Sequence, residues 1–148
     1  MASGEQAVFD DAGIGQVFVT TLFRFALVLY KEQAKEKSSG NAFMSPLSIS
    51  AVLNMALLGS RGKTLAEMKT TLFLDSLKDD SKLHQAFSDL ISYLKRCSTK
   101  VSKYHEEPLF QLHMANRIYG EQSYKIRDEF QRSCKKYYDA GLVPVSFS

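Results

Sequence analysis

The sequence predicts an α+β fold, in which a series of amphipathic helices is followed by a strand, a helix and a second strand. Two patterns carry this expectation. Apolar residues recur at three- and four-residue steps through most of the chain, and the period then falls to two near its end. Size and balance agree: 148 residues, 45% hydrophobic and 24% charged, can bury one sizeable core and do not read as a disordered tail or a membrane bundle.

Residues 1–15 are small, acidic and glycine-containing, with no helical or strand period, and are expected to form a flexible leader. The folded domain is placed at 16–148. Over about 16–35, Phe18, Leu22, Phe25 and Leu29 form one apolar row, and Val19, Phe23, Ala26 and Tyr30 a second. Two rows predict a long, deeply packed helix. Arg24 interrupts the apolar run, which falls short of the ~20 residues needed to span a bilayer.

Beyond a polar loop, Ala42, Phe43 and Met44 are too few for a helix and predict a short buried strand. Ser45-Pro46 then starts a helix, since a serine hydroxyl can accept a free first-turn N–H and proline has none to lose. Ile49, Val52, Leu53, Ala56 and Leu57 mark its expected buried face, and Gly59 its left-handed close. Thr64 and Glu67 fit a capping box for a third helix running to about Phe73. A fourth follows from Leu83, Phe87, Leu90, Ile91 and Leu94.

Over 109–119, Phe110, Leu112, Met114 and Ile118 alternate with Gln111, His113 and Arg117, as a strand with two distinct faces requires. Phe130, Cys134, Tyr137 and Tyr138 suggest a fifth helix closed near Gly141, and 142–147 a last strand. A strand–helix–strand order predicts parallel neighbours.

Function classes narrow by exclusion. The formal charge of +3 is too small to imply a polyanion partner without a local cluster, so no nucleic acid and no membrane partner is expected. Cys97 and Cys134 are too few for a secreted disulfide scaffold and read as reduced thiols. His84, His105 and His113 lack zinc-site spacing, so neither a metal nor any other cofactor is expected. Gly13-Ile14-Gly15 lacks both the third glycine and the preceding strand of a dinucleotide fingerprint, and Gly59-Ser60-Arg61-Gly62 has the wrong spacing for a nucleophile elbow. With no catalytic residue to nominate, the chain does not read as an enzyme. Lys95, Arg96, Lys100 and Lys103 form a weak polyanion-binding candidate, for which a glycosaminoglycan would be the ligand. The blander account is a solvated helix end, because the helix dipole itself favours cations there.

The run Asn41-Ala42-Phe43-Met44-Ser45-Pro46-Leu47-Ser48-Ile49-Ser50 resembles the opening motif of the serpin family. Leu58-Gly59-Ser60-Arg61-Gly62-Lys63-Thr64, then Ala115-Asn116-Arg117-Ile118-Tyr119-Gly120, and then residues 130–147 resemble later parts of the same fold, in family order. The resemblance implies the N-terminal portion of a serpin, with helices like A to E, one short buried strand and two strands of an incomplete main sheet. It further implies an inhibitor of serine-type, or alternatively cysteine-type, endopeptidases that traps its target when a cleaved loop inserts into the sheet. Ser45 and Ser48 then look like the small hydroxyl residues of the shutter beneath that sheet. The reactive loop would lie beyond Ser148, so the chain is expected to be a fragment or truncated form. The alternative is a non-inhibitory, serpin-like interaction or chaperone protein. The missing signal pattern and sparse cysteines resemble the ovalbumin-related branch, which implies a cytoplasmic protein or one exported without a cleaved signal.

Overall fold

The structure, a computed structural model, describes residues 14–36, 40–99 and 113–147. Five helices and a two-stranded sheet follow in the order α1 (Ile14–Glu36), α2 (Pro46–Gly59), α3 (Gly62–Thr71), α4 (Asp80–Thr99), β1 (Arg117–Glu121), α5 (Asp128–Tyr138) and β2 (Gly141–Val145). Residues 1–13 of the expected leader, the basic residues Lys100 and Lys103, and the first part of the expected 109–119 strand lie outside the described residues, while Ile14 and Gly15, placed in that leader, are the first residues of α1.

α2 sits at the centre, packed against α1, α3, α4 and α5. The core gathers Phe18 and Phe25 from α1, Ala51, Met55 and Leu57 from α2, Leu83, Phe87 and Ile91 from α4, and Cys134 and Tyr138 from α5. Phe87 is its hub. Its ring meets Phe18 edge-on at 5.7 Å and Tyr138 at 5.0 Å. Such aromatic pairs add to the gain from buried area alone.

Only one row of α1 is buried. Phe18, Thr21 and Phe25 face the core, whereas Phe23 and Tyr30 of the second row are 65% and 58% exposed. The deeply packed helix expected from two rows is corrected to a half-packed one, because nothing among the described residues covers the second face. α2 departs in the same way. Its buried residues are Ser50, Ala51, Asn54, Met55 and Leu57, while Ile49, Val52 and Ala56 face out. A helix that is apolar almost all round has no periodicity to fix its inward side, so its neighbours fix it instead.

Several ends differ from expectation for local reasons. α2 closes at Gly59 without a left-handed residue: Ser60 is extended, and its N–H and hydroxyl both bond the Leu57 carbonyl. Gly59 is suited to close approach, since a Cβ there would lie 3.0 Å from the Phe130 ring. α3 begins at left-handed Gly62 (φ 58°), which puts Thr64 inside the helix; Arg61 takes the cap position without a side-chain capping bond, so the Thr64–Glu67 capping box is corrected. Asp79 caps α4, its carboxylate accepting the Ser81 and Lys82 N–H groups at 3.0 and 3.2 Å. α5 ends in Asp139, left-handed at φ 51°, two residues before the expected Gly141. Aspartate tolerates that conformation better than most side chains.

β1 and β2 are parallel neighbours joined through α5, with Arg117 opposite Gly141 and Glu121 opposite Val145. The expected crossover is therefore present. The ladder begins only at Arg117, and residues 113–116 are not part of it. The expected buried strand at Phe43 and Met44 is not formed: residues 41–45 carry no strand, and Phe43 is fully exposed. A strand exists only beside another, and among the described residues none flanks this segment.

Candidate functional site

The head of α2 is built as the sequence predicts. Ser45 is extended (φ −118°, ψ 94°) and caps the helix, its hydroxyl accepting the Ser48 N–H at 3.3 Å, with Pro46 next. Its carbonyl accepts the Ile49 N–H at 3.1 Å, so the first turn is held from both sides of Ser45. The two hydroxyls, Ser45 Oγ and Ser48 Oγ, lie 3.0 Å apart. Both residues are exposed, between fully exposed Phe43 and the outward-facing Ile49 and Val52. One bond between two hydroxyls leaves a donor and several lone pairs unused, so the pair can exchange partners with any backbone laid across it.

Of the basic candidates, Lys95 and Arg96 are among the described residues. Lys95 Nζ lies 3.7 Å from the Asp139 carboxylate, which Lys135 also approaches at 2.5 Å. The Lys135 hydrogen bond and charge hold the Asp139 carboxyl below the usual carboxylate range, with Lys95 adding a smaller pull. Lys95 thus ties the end of α4 to the end of α5. Arg96 is exposed in the last turn of α4, where the dipole favours a cation.

A buried pair was missed in the sequence. His84 Nδ1 and the Tyr138 hydroxyl lie 2.6 Å apart, both side chains nearly inaccessible. Burial lowers the His84 pKa to about 4, against the pull of Asp80 and with a smaller push from Lys69. Burial also raises the Tyr138 pKa. The neutral forms of both are therefore locked at the α4–α5 contact. The available signal was position: His84 stands three residues before Phe87 and seven before Ile91, on the same apolar stripe. Its partner is 54 residues away and carried no signal.

Two surface hollows share Leu58, Arg61 and Ser133, and the smaller, about 270 Å³, is lined by His84 and Tyr137. The larger, about 560 Å³, lies between the end of α2 and the start of α5 and is lined by Leu58, Arg61, Ile126, Arg127 and Phe130. Arg61 Nη1 bonds the Leu58 and Ser60 carbonyls, which holds the guanidinium at the end of α2.

A capped central helix with an exposed hydroxyl pair, feeding helices that end in a parallel edge of a sheet, defines an α+β class of partial sheet domain. The family model described as Serpin (serine protease inhibitor) matches residues 20–148, and the chain belongs to the serpin family. Among its relatives it is 38% identical to leukocyte elastase inhibitor of Sus scrofa and 39% identical to Serpin B6 of Bos taurus, each over 124 residues. Serpin B8 of Homo sapiens is 35% identical over the same length. These alignments take in 83–84% of this chain and 30% of each relative, so the chain spans about a third of their length. A solved structure, cleaved Serpin 42Da, superposes with a TM-score of 0.73 at 25% identity, over 90% of this chain and 32% of that one.

The sequence argued against an enzyme from missing motifs, and that basis is corrected. What bears on the question is the relatives: the name leukocyte elastase inhibitor describes a protein that acts on an enzyme. Among the described residues no helix is long and apolar enough to cross a membrane.

Proposed function

We propose that this chain belongs to an inhibitor of a serine-type protease, with a cysteine-type target as the narrower variant, and that Ser45 and Ser48 act as shutter hydroxyls beneath the main sheet. The observation that carries the reading is the hydroxyl pair itself. It is exposed, self-bonded at 3.0 Å and fixed at the head of the central helix, where a strand passing over α2 would meet it. The relatives named leukocyte elastase inhibitor support a serine protease as partner; the setting we propose is cytoplasmic, with export lacking a cleaved signal as the alternative. Residues 16–148 are the part of the inhibitor domain represented here. The basic group at the end of α4 has a structural role and takes no glycosaminoglycan.

Progress curves of leukocyte elastase, with denaturing electrophoresis of the mixture, test this. The 148 residues alone are expected to give no denaturant-resistant adduct, and an adduct mapped within them would overturn the reading. A product that continues into a reactive loop is expected to give one. Cleavage of that product as an ordinary substrate would instead favour a second reading, a non-inhibitory interaction or chaperone protein, which the exposure of several large apolar side chains, among them Phe23, Phe43 and Val52, supports.

A further inference from the structure

The buried pair at which α4 and α5 meet suits one protonation state only. His84 and Tyr138 are 3% and 4% exposed, and among the described residues the side chain of each hydrogen-bonds only the other, at 2.6 Å. A neutral imidazole can meet a phenol in either tautomer, since Nδ1 can accept the phenol O–H or donate to its oxygen. An imidazolium cannot. Both its nitrogens donate, so Tyr138 would have to accept and its own O–H would be left buried without an acceptor.

The protonated ring has a place to go. His84 lines the smaller hollow together with Asp80, Ser81, Arg61 and Ser133. Asp80 lies four residues before His84, one turn back along α4, so its carboxylate is within reach without movement of the helix. Lys69 of α3 is paired with Asp80 and opposes a second cation there. From α5, Tyr137 and Tyr138 face the ring, with the Cys134 thiol beside Tyr138, and Arg61 adds the one charge at the end of α2 that lines the hollow.

α5 is held differently at its two ends. Its start packs on α2, where the Phe130 ring lies against Gly59. Its end is held to α4 by the His84–Tyr138 bond, by the Phe87 and Tyr138 rings and by the Lys95–Asp139 ion pair, which is exposed and so contributes little. Just beyond Tyr138 the chain turns through left-handed Asp139 into β2 at Gly141. We propose that His84 is an acid latch: on protonation its ring leaves Tyr138 for the hollow and Asp80, and the last turn of α5 lifts from α4 about the Phe130–Gly59 contact, carrying the start of β2 with it. The latch is closed above pH 6.5, where His84 is neutral whether buried or free. It opens as pH falls toward 4, because in that window the free ring takes up a proton and the buried one does not.

Amide hydrogen exchange of the 148-residue chain between pH 6.5 and 4, corrected for the intrinsic pH dependence of exchange, tests this. Protection of the Asp139 and Ala140 N–H groups, which bond the Lys135 and Cys134 carbonyls, is expected to fall roughly tenfold per pH unit, about 300-fold in all. Low urea should leave that loss unchanged, whereas the Ala51 and Met55 amides of α2 should stay better protected and respond to urea, as local and global opening respectively require. His84→Gln, which can still bond the Tyr138 hydroxyl, should abolish the pH dependence. Asp80→Asn removes the charge that favours the imidazolium and should move the loss to lower pH, a shift that a merely structural role for Asp80 would not produce. Protection that does not change with pH, a loss that persists in His84→Gln, or a loss at α5 that tracks α2 and grows with urea would each overturn the latch.

Discussion

On one side of α2, Met55 and Leu57 sit within a core closed by the Phe18, Phe87 and Tyr138 rings. On the other side Ile49 and Val52 face out beside Phe43, and α1 carries Phe23, Leu27 and Tyr30 in the same condition. Both sides are comparably apolar in sequence. What separates them is whether a partner element is present, so hydrophobicity along a helix fixes how much surface must be covered and not which surface is covered here.

The sharpest way to break this comparison is to truncate a ring on each side. Phe87→Ala should cost about 3–5 kcal/mol in urea unfolding, because Phe87 is wholly buried against two other rings. Phe43→Ala on the open side should change stability by less than about 0.5 kcal/mol. Comparable losses at both positions would show that the open side is covered after all.

On the closed side acid should act through His84. His84 titrates near 6.5 when unfolded and at about 4 when folded, so between those values the unfolded chain holds more protons. Stability is complete above pH 6.5 and falls as pH drops toward 4, by roughly 2–3 kcal/mol from this residue. The groups facing His84 are Tyr138, Tyr137, Asp80 and Lys69. His84→Gln should flatten that slope, and a slope left unchanged would assign it to other groups.

A smaller effect is expected at Asn54, 1% exposed, whose amide N–H groups bond Ser50 O and Oγ while its Oδ1 has no partner among the described residues. An unsatisfied buried acceptor is costly, so Asn54→Leu combined with Ser50→Ala, which removes the buried Ser50 hydroxyl along with its partner, should raise stability by about 1 kcal/mol. A loss on chemical denaturation would mean that Oδ1 is satisfied in solution. Smallest of all, any retention on heparin should vanish near physiological salt, because Lys95 is already paired with Asp139 and exposed charges are screened there.

What the sequence made legible was local. The Ser45-Pro46 start of α2 and the stripe of α4 depend on residues within a turn or two of each other, and both stand as expected. The inward face of α2 was not legible, since Ser50 and Asn54 are polar yet buried and Ile49 and Val52 are apolar yet exposed. The Phe43 strand failed because a strand is a property of two segments. At the candidate site, the cap that Ser45 makes with Ser48 was legible from a short motif, whereas the His84–Tyr138 contact joins distant helices and left no trace beyond a histidine on an apolar stripe.

The placement of the two thiols gives the chain an internal clock. Cys134 lies on the buried face of α5 and its pKa is raised to about 11 by that burial, while Cys97 on α4 is partly exposed. Only a thiolate attacks an alkylating reagent, so at neutral pH Cys97 should label promptly and Cys134 only during moments when α5 lifts away from α4. The second labelling rate then counts those openings one helix at a time, and the His84→Gln chain should run that clock faster.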